Sequence, residues 1–194
     1  MQICLYGAAS NTISPEYITA IEALGREMGK RGHTLVFGAG YNGLMGAAAR
    51  GVRESGGKMI GVIPTFFREE SVEQIDFLCD TLIYTDSMRE RKQKMEELAD
   101  AFITVPGGIG TFEEFFETLT LRQLGRHAKP IAIYNVNHYY DPMLAMMDHA
   151  IAQNFLREDC RTLYRVFDRA EEMLDALEQA PSDRPENRRV LKDG

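Results

Sequence analysis

Short apolar runs alternate with longer stretches of helical periodicity along the chain. The runs at 3–6, 34–37, 59–63, 102–105 and 131–134 read as short strands, and the stretches at 15–30, 44–54, 87–98, 111–124 and 142–155 carry apolar residues at helical spacing. Apolar strands separated by helices predict an α/β chain whose mostly parallel sheet is flanked by helices on both faces. Ser14-Pro15 and Asp141-Pro142 each offer an N-cap residue before a proline suited to the first helical turn. The segment 65–85 is the least regular and is predicted to hold a connection and a short strand at 82–84. Asp168 is placed to cap a last helix reaching about residue 180. The polar, proline-interrupted PSDRPENRRVLKDG then reads as a tail at 181–194, which leaves 1–180 as a single domain.

At 194 residues and 44% hydrophobic composition, the chain is long enough for one domain with a substantial core. The 22 Lys and Arg against 29 Asp and Glu give a net charge of -7, which argues against nucleic acid or a membrane surface as partner. A local basic pocket for a phosphate remains compatible with that balance. The opening MQICLYG lacks the basic start and apolar stretch of a signal peptide, and no run reaches membrane-spanning length. Cys4, Cys79 and Cys160 are widely separated and odd in number, as expected of reduced thiols in the cytoplasm. His33, His127, His138 and His149 show no metal-ligand spacing, so no metal site is expected.

Three segments carry candidate chemistry. Gly38-Ala39-Gly40-Tyr41-Asn42-Gly43 follows a predicted strand and opens a helix. Gly40 and Gly43 could let the backbone approach a phosphate, or could serve only a tight turn and close helix packing. The match to GxGxxG is formal: it follows the second strand, and no acidic residue sits where a ribose would need one. A nicotinamide dehydrogenase is therefore not expected. The second segment, PGGIGTFEE at 106–114, repeats the strand–glycine–helix pattern. Two such junctions in one parallel sheet should lie at the same edge, where these folds bind ligands. Glu114 has two readings: a capping box with Thr111, or a carboxylate turned inward over the glycine cradle. In the third segment, Arg89, Arg91, Lys92 and Lys94 crowd a helix start, the end that disfavours cations. A bound anion would offset that placement, whereas a solvated face with Ser87 and Glu90 as a capping box is the simpler alternative.

Taken together, these segments resemble the Lonely guy family of cytokinin-activating phosphoribohydrolases, whose members often carried the label "possible lysine decarboxylase". The family motif PGGxGTxxE stands complete as PGGIGTFEE, the MHERK-like signature stands as MRERK at 88–92, and the glycine segment 38–46 matches the GLMG-containing loop. Arg89 occupies the position where the signature usually has histidine. The likeness runs in order and spacing to about residue 180. It implies a single-domain, Rossmann-like three-layer fold and a homodimer with sites near the subunit contact. It further implies hydrolysis of the N-glycosidic bond of AMP-like or cytokinin nucleoside 5′-monophosphates, without metal or redox cofactor. On this resemblance Arg91 and Glu114 are catalytic, and Lys92, Gly107, Gly108, Ile109, Gly110, Thr111, Phe112, Glu113, Thr120 and Glu73 contact substrate. A non-catalytic nucleotide sensor or carrier would use the same pocket. Amino-acid decarboxylation lacks support, because no feature nominates a lysine for pyridoxal phosphate.

Overall fold

Strand residues alternate between two cores, as a period of two on a sheet covered on both sides requires. In β1 (Gln2–Tyr6), Ile3 and Leu5 enter one core while Cys4 and Tyr6 enter the other. β2 (Thr34–Phe37) divides likewise, with Leu35 and Phe37 opposite Val36. The computed structural model describes residues 1–69 and 78–181. Glu73 and the tail at 182–194 lie outside the described residues.

The remaining elements are α1 (Pro15–Lys30), α2 (Gly43–Glu54), β3 (Lys58–Pro64), α3 (Thr65–Glu69), β4 (Thr81–Thr85), α4 (Met88–Leu98) and β5 (Ala101–Thr104). They continue with α5 (Ile109–Gln123), β6 (Ile131–Tyr134), α6 (Asp141–Ala152), β7 (Arg165–Phe167) and α7 (Ala170–Glu178). All strand pairings among the described residues are parallel, in the order β4-β3-β2-β1-β5-β6-β7. The core holding Ile3 and Leu5 takes Ile21, Leu24 and Met28 of α1, residues of α2, and Met173 and Leu174 of α7. The opposite core takes Met95 of α4, Phe115 and Leu119 of α5, and Met147 of α6. The three-layer α/β architecture expected from the alternation of runs is the one found. Among the described residues, no helix is long and apolar enough to cross a membrane.

Several local expectations need correction. β7 was not predicted; Arg165 and Val166 are exposed, so this three-residue edge strand lacks the apolar pattern of the inner ones. Ser14 sits at the N-cap of α1 but makes no capping bond, its hydroxyl donating instead to Glu16 at 3.2 Å. Asp141 lies inside α6, held by the Asn135 amide at 2.8 Å, and the N-cap position belongs to Tyr140. Asp168 does not cap α7, whose N-cap position is Arg169. The Thr111–Glu114 capping box does not form, because α5 begins earlier, at Ile109, with Gly108 at its N-cap. In contrast, Ser87 caps α4, accepting from the Glu90 amide at 3.2 Å, while the Glu90 carboxylate accepts from the Asp86 amide at 2.8 Å.

β1 lies between β2 and β5. The chain leaves β1 toward one side of the sheet and returns to its other side at β5, so the connections from these two strands diverge. Ligands of parallel sheets bind in the crevice that such a divergence opens beyond the strand ends.

Candidate active site

The PGG loop leaves β5 at this crevice and is held from its carbonyl side. Tyr140 donates its hydroxyl to the Val105 carbonyl at 2.7 Å, and Tyr139 donates to the Gly107 carbonyl at 2.6 Å. The Pro106 carbonyl accepts the Ala8 amide at 3.1 Å, joining this loop to the one after β1. With the carbonyls engaged, the amides of Ile109, Gly110 and Thr111 open α5 and meet no acceptor among the described residues. A helix start with free amides and a positive dipole end is suited to an anion.

The glycines of this loop differ in what they require. A Cβ on Gly107 would collide with the Thr111 side chain, so packing explains that residue. Gly108 and Gly110 are exposed, and a Cβ on either would meet nothing within 4 Å. Neither has a positive φ. Packing and backbone conformation therefore leave both glycines unexplained, whereas the close approach of a ligand to the backbone would require them.

The earlier glycine segment is built for a different purpose. Gly43 adopts φ +59°, and a Cβ there would strike the Ala8 carbonyl and Ala9. The first amides of α2 are already engaged, Leu44 donating to the Ala8 carbonyl at 2.8 Å and Met45 at 3.4 Å. Gly40 is buried in the same turn. This junction locks two loops together instead of presenting free amides. Gly38 serves the site by a third route, since a Cβ on it would occupy the position of the Arg91 guanidinium. Beside it, Ala39 holds a left-handed φ of 57°, a cost that a functional loop can carry.

Arg91 projects from the first turn of α4 across the ends of β2 and β3 and is only 6% exposed. Its Nε donates to the Val62 carbonyl at 3.2 Å, and its guanidinium lies 5.8 Å from the centre of the Phe67 ring. Among the described residues no carboxylate pairs with it, and its Nη1 lies 3.8 Å from the Met88 sulfur. Glu114 is partly buried on α5 and accepts no hydrogen bond from a described residue. Burial pushes its carboxyl up to about 7, Arg91 pulling it down and Glu113 pushing it up, with smaller opposed effects from Lys92 and Glu117. Arg91 is thus the strongest charge acting on Glu114, and their chain neighbours Lys92 and Glu113 meet in an ion pair that joins α4 to α5. Beneath them, Glu114 and burial together raise the Cys4 thiol and the Tyr6 hydroxyl of β1, burial being the larger cause.

The other expected contacts divide. Phe112 is partly buried and packs edge-on to Tyr140. Lys92 is ion-paired with Glu113 and with Glu117. Thr120 is exposed, donates its hydroxyl to the Phe116 carbonyl, and lies about 16 Å along α5 from its start. It does not join the cradle of its own chain. Arg89 is exposed. Sequence reasoning missed Tyr139, Tyr140 and the turn at Ala8. The tyrosines gave no motif, since Asn135 fixes their loop only in the fold, its side-chain carbonyl accepting the Tyr140 amide at 2.7 Å. The run of small residues after β1 was the available signal for Ala8.

Comparison with known proteins fits this geometry. The profile of the family described as "Possible lysine decarboxylase" matches residues 45–177. The chain is 38% identical over 180 residues to cytokinin riboside 5′-monophosphate phosphoribohydrolase LOG of Oryza sativa subsp. japonica, covering 92% of this chain and 73% of that protein. It belongs to that family. Cytokinin riboside 5′-monophosphate phosphoribohydrolase LOG2 of Arabidopsis thaliana is 35% identical over 180 residues, with 92% of this chain and 83% of that protein covered. Among solved structures, the Moco carrier protein of Chlamydomonas reinhardtii aligns with a TM-score of 0.68 at 20% identity, covering 92% of this chain and 95% of that one. At that identity the likeness is one of fold.

Proposed function

We propose that this protein hydrolyses the N-glycosidic bond of AMP-like or cytokinin nucleoside 5′-monophosphates, releasing the free base and ribose 5-phosphate. One observation carries the reading: a carboxylate and a guanidinium, neither ion-paired with a described residue, flank a helix start whose amides meet no acceptor among the described residues. The amides of Ile109, Gly110 and Thr111 would hold the 5′-phosphate, with Gly107, Gly108, Phe112 and Glu113 shaping the loop around it. Arg91 would hold the ribose phosphate against Glu114, contributing orientation and charge.

As the base leaves, positive charge builds on the ribose, and an ionised Glu114 stabilises it at short range. A carboxyl near 7 also suits a base that orients and deprotonates the attacking water. The relatives named as phosphoribohydrolases favour this reaction over a non-catalytic carrier, since the likeness to carrier proteins is in fold alone. The decisive measurement is release of adenine and ribose 5-phosphate from AMP, beside a panel of dAMP, GMP, CMP and N6-isopentenyl-AMP. Glu114→Gln is expected to lower kcat by about 10²–10⁴-fold while calorimetric affinity for AMP changes little. Unchanged turnover would remove the assignment.

The protein is further proposed to act as a homodimer in the cytoplasm. α6 carries Pro142, Met143, Leu144, Met146 and Ile151, yet buries only Met147 fully. Met146 is 57% exposed and the nearby Phe155 84%. A second copy would cover this face, and Thr120 could then serve the partner's site. The free buried thiols of Cys4 and Cys160 suit a reducing compartment.

A further inference from the structure

Arg91 and Glu114 each have a chain neighbour of opposite use. Lys92 follows Arg91 on α4, and Glu113 precedes Glu114 on α5. Whereas Arg91 is the strongest charge acting on Glu114, Lys92 and Glu113 meet each other in an ion pair. Lys92 also reaches Glu117 at 2.6 Å, one helical turn further along α5, and only 13% of its side chain is exposed. Among the described residues, the ion pairs joining α4 to α5 both run through this ammonium. The residue after α5 that points back, Lys129, donates to the Glu96 carbonyl of α4 at 2.7 Å and strengthens the same junction.

A phosphate arriving at Lys92 would have to displace two carboxylates, and their charge would repel it. Arg91 and the free amides of α5 present no such obstacle. We infer that Lys92 and Glu117 are positioning residues: their bridge fixes α4 against α5 and so sets the spacing between Arg91 and Glu114, and Lys92 is not a phosphate ligand.

The groups facing Glu114 are Arg91 and Lys92 from α4, Glu113 and Glu117 from its own helix, and Cys4 and Tyr6 from β1. Glu117→Gln removes one arm of the bridge together with a carboxylate that pushes Glu114 up. Charge loss alone would then lower the Glu114 midpoint. A lost bridge would let Arg91 move away and raise the Glu114 titration midpoint, read by carboxyl 13C NMR against Glu114→Gln.

The inference rests on the hydrolase reading for its kinetics but not for this titration. With each variant confirmed folded by circular dichroism, Glu117→Gln is expected to raise the midpoint, and Lys92→Met with Glu117→Gln to lower kcat about tenfold with KM within about twofold. Lys92→Arg, which can still bridge both carboxylates, is expected to keep most of kcat. An unchanged or lowered midpoint in Glu117→Gln overturns the inference. So does a KM about tenfold higher at preserved kcat, the signature of a phosphate ligand. Should the wild-type protein turn over no nucleotide, the hydrolase reading falls while the midpoint still decides the bridge.

Discussion

Glu114 is the residue at which burial and the proposed function meet. Its carboxyl is held near 7 chiefly by burial, so it is half ionised at neutral pH. A reaction that needs the carboxylate should lose kcat/KM about tenfold per pH unit below 7, and a pH profile with an acid limb near that value is the expected result. The same shift acts on stability with the opposite sign. A carboxyl raised in the folded state contributes its full share below its unfolded value, and that share is lost as pH rises through about 7. Glu114→Gln should therefore stabilise the protein at pH 8 by on the order of 2 kcal/mol and much less at pH 4. Thermal unfolding at both pH values checks this. The sequence named Glu114 but left capping and catalysis as alternatives, because the choice turns on where α5 begins. The helix starts two residues before Thr111, which removes the cap.

At the scale of elements, the two glycine junctions look alike in sequence and differ in the structure. Both follow a strand and open a helix, so both carried the expectation of phosphate contact. At α2 the Ala8 carbonyl takes the first amides, whereas at α5 the loop carbonyls are tied to Tyr139 and Tyr140 and the amides stay free. Gly110→Ala separates the roles. Nothing within 4 Å opposes its Cβ, so the folded protein should keep or gain up to about 1 kcal/mol from the better helix former. Affinity for AMP should nevertheless fall about tenfold if a phosphate lies against that backbone. Unfolding curves and calorimetry on one variant test both halves. Ser87 and Glu90 were legible as a cap because the pattern is local, and capping depends on residues only three apart.

For the whole molecule, the proposed assembly rests on α6. This helix buries only Met147 fully, and Met146 and Phe155 mark the face that the proposed second copy would cover. Light scattering should give twice the chain mass, and Met146→Asp with Phe155→Asp should give the single-chain mass with the fold retained. A single-chain mass for the wild type would overturn the dimer.

The sequence by itself determined the layer architecture, the order of strands and helices, and the residues of the two signatures. These follow from periodicity and short spacing, which each segment carries within itself. Tertiary structure alone decided which glycine junction keeps its amides free, that Gly38 makes room for Arg91, and that Arg91 and Glu114 act on each other from 23 residues apart in the chain (91 to 114). It also decided that Tyr139, Tyr140 and Ala8 hold the PGG loop by its carbonyls. Each of these depends on where strands β1, β2, β3 and β5 end relative to one another, and strand adjacency is a property of the folded sheet that no local pattern encodes.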